Sequence, residues 1–260
     1  MIENKRKSGA CRLCGSEGPL VESHIVPEFM YGPVYKDHRM VGFARSGGTL
    51  KPKTYQMGFR EPLLCRRCDQ FLNHSYEQPN VTTWRALIEG GDRPGLSRSS
   101  NITREGTIYI NIKGVDYASF KLLLLSILWR ASIAEREEYA SVHLGSHEES
   151  IRKMLLAQDP GPQLLYPCVL TLLNRPVRLM SPVVPGRYGM HSTYQVIITS
   201  AVLWFFISPF THSEPMLETA VDESGSLQAL VAKPEELPVF IETMARIAQI
   251  KAQRQRKIDT

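Results

Sequence analysis

The sequence predicts an α+β protein in two parts: a small four-cysteine module, then a mixed α/β part around a buried central helix. Three observations carry this prediction. Cys11/Cys14 and Cys65/Cys68 form two Cys-x-x-Cys pairs, each placing two sulfurs on one tight turn. Between residues 116 and 138, apolar side chains cover nearly the whole circumference of a helix, the mark of a helix buried on every side. Beyond it, aliphatic and aromatic runs at 166–173 and 194–207 read as strands.

The bulk numbers set the class. The chain has 260 residues, 43% hydrophobic and 22% charged, which is ordinary for a folded globular protein. Its net charge is only +5, but residues 1–77 hold twelve Lys and Arg against eight Asp and Glu, so +4 of it lies in the cysteine segment. A fifth cysteine, Cys168, falls in an apolar run and reads as a buried thiol. Paired thiols that suit a metal better than a disulfide framework point to a reducing, cytoplasmic setting. Residues 1–7 have no apolar core of a signal peptide, and the longest apolar runs, Leu122–Trp129 and Val196–Ile207, are too short to span a bilayer. No membrane partner is expected.

Along the chain, residues 1–9 are basic and expected to fray. Cys11–Gly15 is a knuckle, with Gly15 supplying the turn. Leu20–Ile25 is a strand stopped by Pro27, and Glu28–Tyr35 is an apolar connector. Residues 39–57 read as a hairpin about Gly47-Gly48, with Lys51 and Lys53 alternating on its second strand. The second knuckle runs into a helix from Asp69, and a further helix is expected over Val81–Glu89. Gly90-Gly91-Asp92-Arg93-Pro94-Gly95 is the clearest break, dividing a module at 1–90 from a second part at 105–260, with 96–101 as loop. The second part opens with a strand over Thr107–Ile112. A helix over Asp116–Glu138 follows, N-capped by Asp116, then a helix over His147–Leu156. After these come strands at Tyr166–Leu173 and Tyr194–Ile207, the latter bent or split at Ser200. Residues 181–192 read as a Pro/Gly loop. An amphipathic tail helix is expected over Pro238–Lys257.

Four thiolates in two matched pairs suit a closed structural Zn²⁺ site, with Cys11, Cys14, Cys65 and Cys68 as ligands. A closed site does no chemistry, so function rests on what it holds in place. His24 sits at a strand end before a proline, where its ring can face a cleft and take a proton from water attacking a phosphodiester. Such chemistry needs Mg²⁺ or another divalent cation with hard or imidazole ligands. The helix offers Asp69, Asn73, His74 and Glu77, and the strand offers Glu22. Asp69 and Asn73 share a helix face, as do Asn73 and Glu77. Glu77 is also a candidate partner for Arg60, and Arg130 reads as a structural ion-pair residue. His143 and His147 flank Gly145 and read as loop and cap residues. Lys5-Arg6-Lys7, Lys51, Lys53, Arg60, Arg66 and Arg67 surround the cysteine segment and form a candidate phosphate-contacting surface.

The array Cys-x-x-Cys, Ser23-His24-Ile25-Val26-Pro27, Leu63-Leu64-Cys-x-x-Cys resembles an HNH-type nuclease domain of the zinc-stabilised, treble-clef-like kind. The resemblance covers roughly the first third of the chain and implies a ββα-metal core. His24 then matches the general base, and the four cysteines match structural zinc ligands. The second part, through Ser126-Ile127-Leu128-Trp129-Arg130 and its neighbours, resembles bacterial proteins labelled HNH endonuclease. Three positions depart from the family pattern. Ser23 stands where the family has a metal-binding Asp or His, Arg60 where it usually has Asn, and Asp69 where a His usually follows the last cysteine. Asp69 can still ligate a cation, with Asn73 or His74 as the helical ligand.

Two functional expectations follow. The first is a metal-dependent HNH-like endonuclease acting on DNA, with His24, Asp69, Asn73 and His74 as its catalytic group. A companion or trigger, in phage defence, would restrain it. The alternative is a non-catalytic zinc module that binds nucleic acid or a protein partner within a larger assembly, or a second copy of itself. Ser23 and Arg60 speak for the alternative, because they remove expected ligands.

Overall fold

The computed structural model describes residues 7–32, 40–46, 49–55, 58–91, 93–175, 177, 179–207, 219–238 and 241, and over 40–55 the backbone alone. The expected tail helix therefore lies almost wholly outside the described residues, as do Lys5, Arg6 and the side chains of Lys51 and Lys53. The chain is mixed α+β, 34% helix and 33% strand, with the cysteine cluster near its N-terminus.

The first part is a three-stranded antiparallel sheet followed by a long helix. Strands β1 (Ser8–Ala10), β2 (Glu17–His24) and β5 (Arg60–Cys65) lie in that spatial order. Residues 8–10, expected to fray, are tied down by pairing with β2. The first knuckle closes between β1 and β2, where Gly15 N–H donates to the Cys11 carbonyl at 2.8 Å and Gly15 adopts φ +77°. Helix α1 (Glu28–Tyr31) follows β2. The expected hairpin forms as β3 (Met40–Ser46) and β4 (Thr49–Tyr55), inserted before β5. β2 and β5 pair from Leu20–Cys65 to His24–Arg60, across a bulge at Val21/Glu22. Helix α2 (Arg66–Leu72) begins directly after Cys65, earlier than the expected start at Asp69.

The helix does not stop at Leu72. One wide π-turn, Asn73–Glu77, carries it into α3 (Gln78–Ile88), so a single rod replaces the two expected helices. Pro79 gives the reason: a proline lacks the N–H for the helical bond and its ring collides with the carbonyl one turn back, which a widened turn accommodates.

The second part is a seven-stranded sheet packed on a buried helix. Its strands are β6 (Ser97–Ile102), β7 (Ile108–Lys113), β8 (Cys168–Leu173), β9 (Val184–Tyr188), β10 (His191–Ile198), β11 (Ala201–Phe206) and β12 (Ser226–Ala232), in the order β6-β7-β12-β8-β11-β10-β9. All neighbours are antiparallel except β12 and β8. Two expected loops are strands here. Residues 97–102 pair with β7, and 184–188 pair with β10. The apolar run at 194–207 is a hairpin, turning at Thr199-Ser200, where Thr199 adopts φ +57°.

Helix α4 (Tyr117–Ile133) is buried on nearly every side, as its composition requires, and Asp116 caps it by accepting from Ser119 N–H at 2.7 Å. It ends five residues before the expected Glu138. Both carboxylate oxygens of Glu61 accept from Glu135 N–H, at 3.0 and 3.1 Å, and Ala134 turns extended. Helix α5 (Ser146–Ala157) packs beside it. One face of the sheet, with Ile110, Ile112, Leu170 and Phe205, joins α4 in a core that continues into Leu13, Ile25, Leu64 and Leu72 of the first part. The other face builds a smaller cluster around Val169, Val202 and Trp204. The chain does turn at Gly90-Gly91, but the apolar core passes through both parts.

Candidate active site and cysteine cluster

The turn between β1 and β2 presents Cys11 and Cys14. The β5–α2 junction presents Cys65 and Cys68. All four sulfurs lie within 4.8 Å of one another, with Cys14 Sγ and Cys65 Sγ 4.0 Å apart, so the group can hold a metal ion. Cys11 and Cys68 are buried and Cys14 is exposed. Burial pushes the Cys11 and Cys68 thiols up, while hydrogen bonds from Ser16 hold Cys14 down at about 6. As free thiols, the buried pair would thus resist ionisation. A bound cation offsets that cost, because its charge stabilises thiolates. Among the described residues no other group of three or more His, Cys, Asp or Glu places its ligand atoms this close.

Beyond the cysteines, the end of β2 meets the rod of α2 and the π-turn in a cleft of about 290 Å³. His24, Glu28, Phe29, Asp69, Asn73, Glu77, Gln78 and Arg130 line it. The fold thus brings His24, Asp69 and Asn73 together. His74 is exposed on the π-turn and is not among the cleft residues. The π-turn matters to this geometry, since one extra residue per turn shifts the phase of every side chain that follows.

His24 Nε2 is buried and makes no hydrogen bond; its nearest carboxylate oxygen, Glu28 Oε2, stands 3.6 Å away. Burial first, then the positive charges of Arg60 and Arg130, push the imidazole down to about 4, so it is neutral at pH 7. Glu28 also lies 3.5 Å from Arg60 Nη2. Ser23 points the other way: it is 1% exposed, and its hydroxyl donates to the Val21 carbonyl at 3.4 Å, so it offers the cleft nothing. Glu22 is exposed and outside the cleft.

Glu77 pairs with Arg130 at 2.9 Å, not with Arg60. Four cleft residues were not singled out from the sequence as site residues: Glu28, Phe29, Gln78 and Arg130. His24 and Glu28 are four apart, but they straddle a strand end and a short helix, where helical spacing does not apply. Arg130 arrives from 106 residues away, and no local pattern records that contact. Arg66 and Arg67 are exposed at the start of α2, and Arg12 is exposed on the first knuckle. His147 Nδ1 lies 2.9 Å from the Tyr166 hydroxyl, an anchoring contact away from the cleft.

In comparisons with protein-family models, curated proteins and solved structures, none matches the chain. Among the described residues, no helix is long and apolar enough to cross a membrane.

Proposed function

We propose that the chain is an HNH-like endonuclease that hydrolyses phosphodiester bonds of DNA with the help of a divalent cation, its first part stapled by a structural Zn²⁺. The observation that carries this reading is the convergence, in one cleft, of His24 from the strand end before Pro27 with Asp69 and Asn73 from the helix after the second cysteine pair. The order of parts supports it. A knuckle, two paired strands and a helix whose first turn carries Cys68 are the parts that a treble clef would need. The donor set suits zinc. A tetrahedron with Zn–S of about 2.3 Å sets sulfurs about 3.8 Å apart, and these sulfurs lie within 4.8 Å before any ion draws them in.

In this reading the neutral His24, which lines the cleft, accepts the proton of the attacking water. Its basicity is low because the ring is buried and, secondarily, because two arginines face it. A phosphate seated beside Arg60 would offset the arginines' share of that shift. Asp69 and Asn73 are the residues that would hold a divalent cation, which neutralises charge on the phosphate and stabilises the leaving oxygen. Arg66, Arg67 and Arg12 lie near the cysteine cluster, where they suit the flanking backbone.

The test is cleavage of plasmid and single-stranded DNA with Mg²⁺, Mn²⁺ or Ni²⁺ by the wild type, His24→Ala and Asp69→Ala. Cutting by the wild type that both variants lose is expected. Cutting that survives both places the chemistry elsewhere. A second reading, a zinc module that binds nucleic acid or protein without cutting, is favoured by two observations: Ser23 faces away from the cleft, and the cleft carboxylates do not converge as the cysteines do. A gel shift without cleavage under every cation would select it.

A further inference from the structure

One buried charge at the cleft comes from outside the first part of the chain. Arg130 belongs to α4 and is 2% exposed. Its Nη1 donates to the His24 carbonyl at 2.6 Å, and its Nη2 donates to Glu77 Oε1 at 2.9 Å and to Ser126 Oγ at 2.8 Å. Its Nε donates to the Ser126 carbonyl at 3.2 Å. A buried ion pair is by itself weak evidence of stabilisation, since desolvation offsets much of the attraction. The two ends of the fork are more informative. One holds the backbone of the candidate base, and the other holds the carboxylate at the end of the π-turn. These are the two walls of the cleft. A guanidinium is planar and rigid, so partners held on its two nitrogens are held at a fixed separation, which the single ammonium of a lysine cannot do.

We propose that Arg130 is the positioning residue of this site: through the His24 carbonyl and the Glu77 carboxylate it fixes the strand wall against the helix wall, and so fixes where the His24 ring stands relative to a bound phosphodiester. This inference rests on the hydrolytic reading of the cleft and deepens it. It also gives the second part of the chain a definite role, because α4 supplies a component of the site. Ser126 supports that role. Its hydroxyl donates to the Leu123 carbonyl at 2.7 Å and accepts from Arg130, which locks the guanidinium in one orientation.

The experiment uses the full chain with its bound metal, as wild type, Arg130→Met and Arg130→Lys. Metal content and thermal unfolding establish that each variant is folded. Two readouts follow: Mn²⁺-supported DNA cleavage, separated into kcat and KM, and the ring resonances of His24 in ¹³C-histidine-labelled protein. Arg130→Met is expected to lose about 100-fold in kcat with KM changed less than about threefold, the pattern of a misplaced catalytic group rather than lost binding. The His24 ring signal, single and narrow in the wild type, should broaden or double. Arg130→Lys, reaching one partner but not both, should recover little of either.

Wild-type values of kcat and an unchanged His24 signal in Arg130→Met overturn the proposal. If the wild type cuts no DNA, the nuclease reading fails, and the His24 signal alone decides: unchanged overturns the positioning role, disturbed upholds it. If Arg130→Met does not fold, Arg130→Lys takes its place with the same expected losses, and wild-type behaviour of that variant overturns the proposal.

Discussion

Glu77 and Arg130 form a 2.9 Å ion pair at the cleft, with side-chain exposures of 16% and 2%. The pair joins the helix of the first part to the central helix of the second. Removing one partner of such a pair leaves the other buried and uncompensated. Glu77→Ala should therefore destabilise the fold by about 3 kcal/mol. Glu77→Gln should cost less, because an amide oxygen still accepts from the guanidinium. The double variant Glu77→Leu/Arg130→Met should be more stable than Glu77→Ala, since neither charge then remains buried. Urea unfolding of the three proteins checks the order.

The cysteine cluster should carry about one Zn²⁺ per chain. Cys68→Ala removes a buried ligand next to the start of α2 and should lose the ion together with several kcal/mol of stability, because in such modules binding energy is folding energy. Elemental analysis and thermal melts with and without a strong chelator provide the check. A chain that holds no metal and melts identically in chelator contradicts the assignment.

Tyr76 donates from its hydroxyl to the Leu155 carbonyl at 2.5 Å, tying the π-turn to α5 across 79 residues. Tyr76→Phe leaves that carbonyl unpaired in a buried setting and should cost about 1–3 kcal/mol. Because the core runs through both parts, the loss should move one cooperative transition rather than split it in two. Circular dichroism and tryptophan fluorescence should report the same midpoint.

Legibility from sequence followed the range of the interactions. The cysteine pairs were readable because metal-ligand spacing is local, and so was α4, because a helix apolar all round has nowhere to be but inside. The placement of His24, Asp69 and Asn73 rested on a strand end and one helix face, both local patterns, and the fold brings these three to one cleft. β6 was not readable: Ser97–Ile102 is exposed along its whole length and has no apolar alternation. It is a strand because β7 offers it an edge. β12 was missed because its buried Leu227 and Ala229 make a weak signal that depends on pairing with β7 and β8. The true end of α4 depends on Glu61, more than seventy residues upstream. Arg130 reached the cleft through a tertiary contact of the same kind, and Glu28 through the local turn from β2 into α1.

Lys121 gives a pH signature. It is 1% exposed, and its ammonium donates to the Tyr117 hydroxyl at 3.0 Å and the Pro162 carbonyl at 2.7 Å. Burial pushes it down to about 8, from an ordinary value of 10.5. Between those two values the unfolded chain binds the proton and the folded chain does not. Stability from this group therefore rises as pH increases from about 8 to 10.5, by at most about 1.4 kcal/mol per pH unit, and is flat below that window. Lys121→Met should remove this slope. Urea unfolding of both proteins across pH 7–10.5 reads it, and a variant with the wild-type slope contradicts the assignment.

The most direct measurement is chemical rescue at His24. His24→Gly removes the ring beside the cleft and leaves space that free imidazole can enter. With Mn²⁺ and plasmid DNA, the wild type should cut, His24→Gly should be silent, and added imidazole should restore cutting to the variant without accelerating the wild type. Cutting by His24→Gly at the wild-type rate without imidazole, or a wild type that cuts with no divalent cation tried, would contradict the central claim that this cleft is a hydrolytic site with His24 as its base.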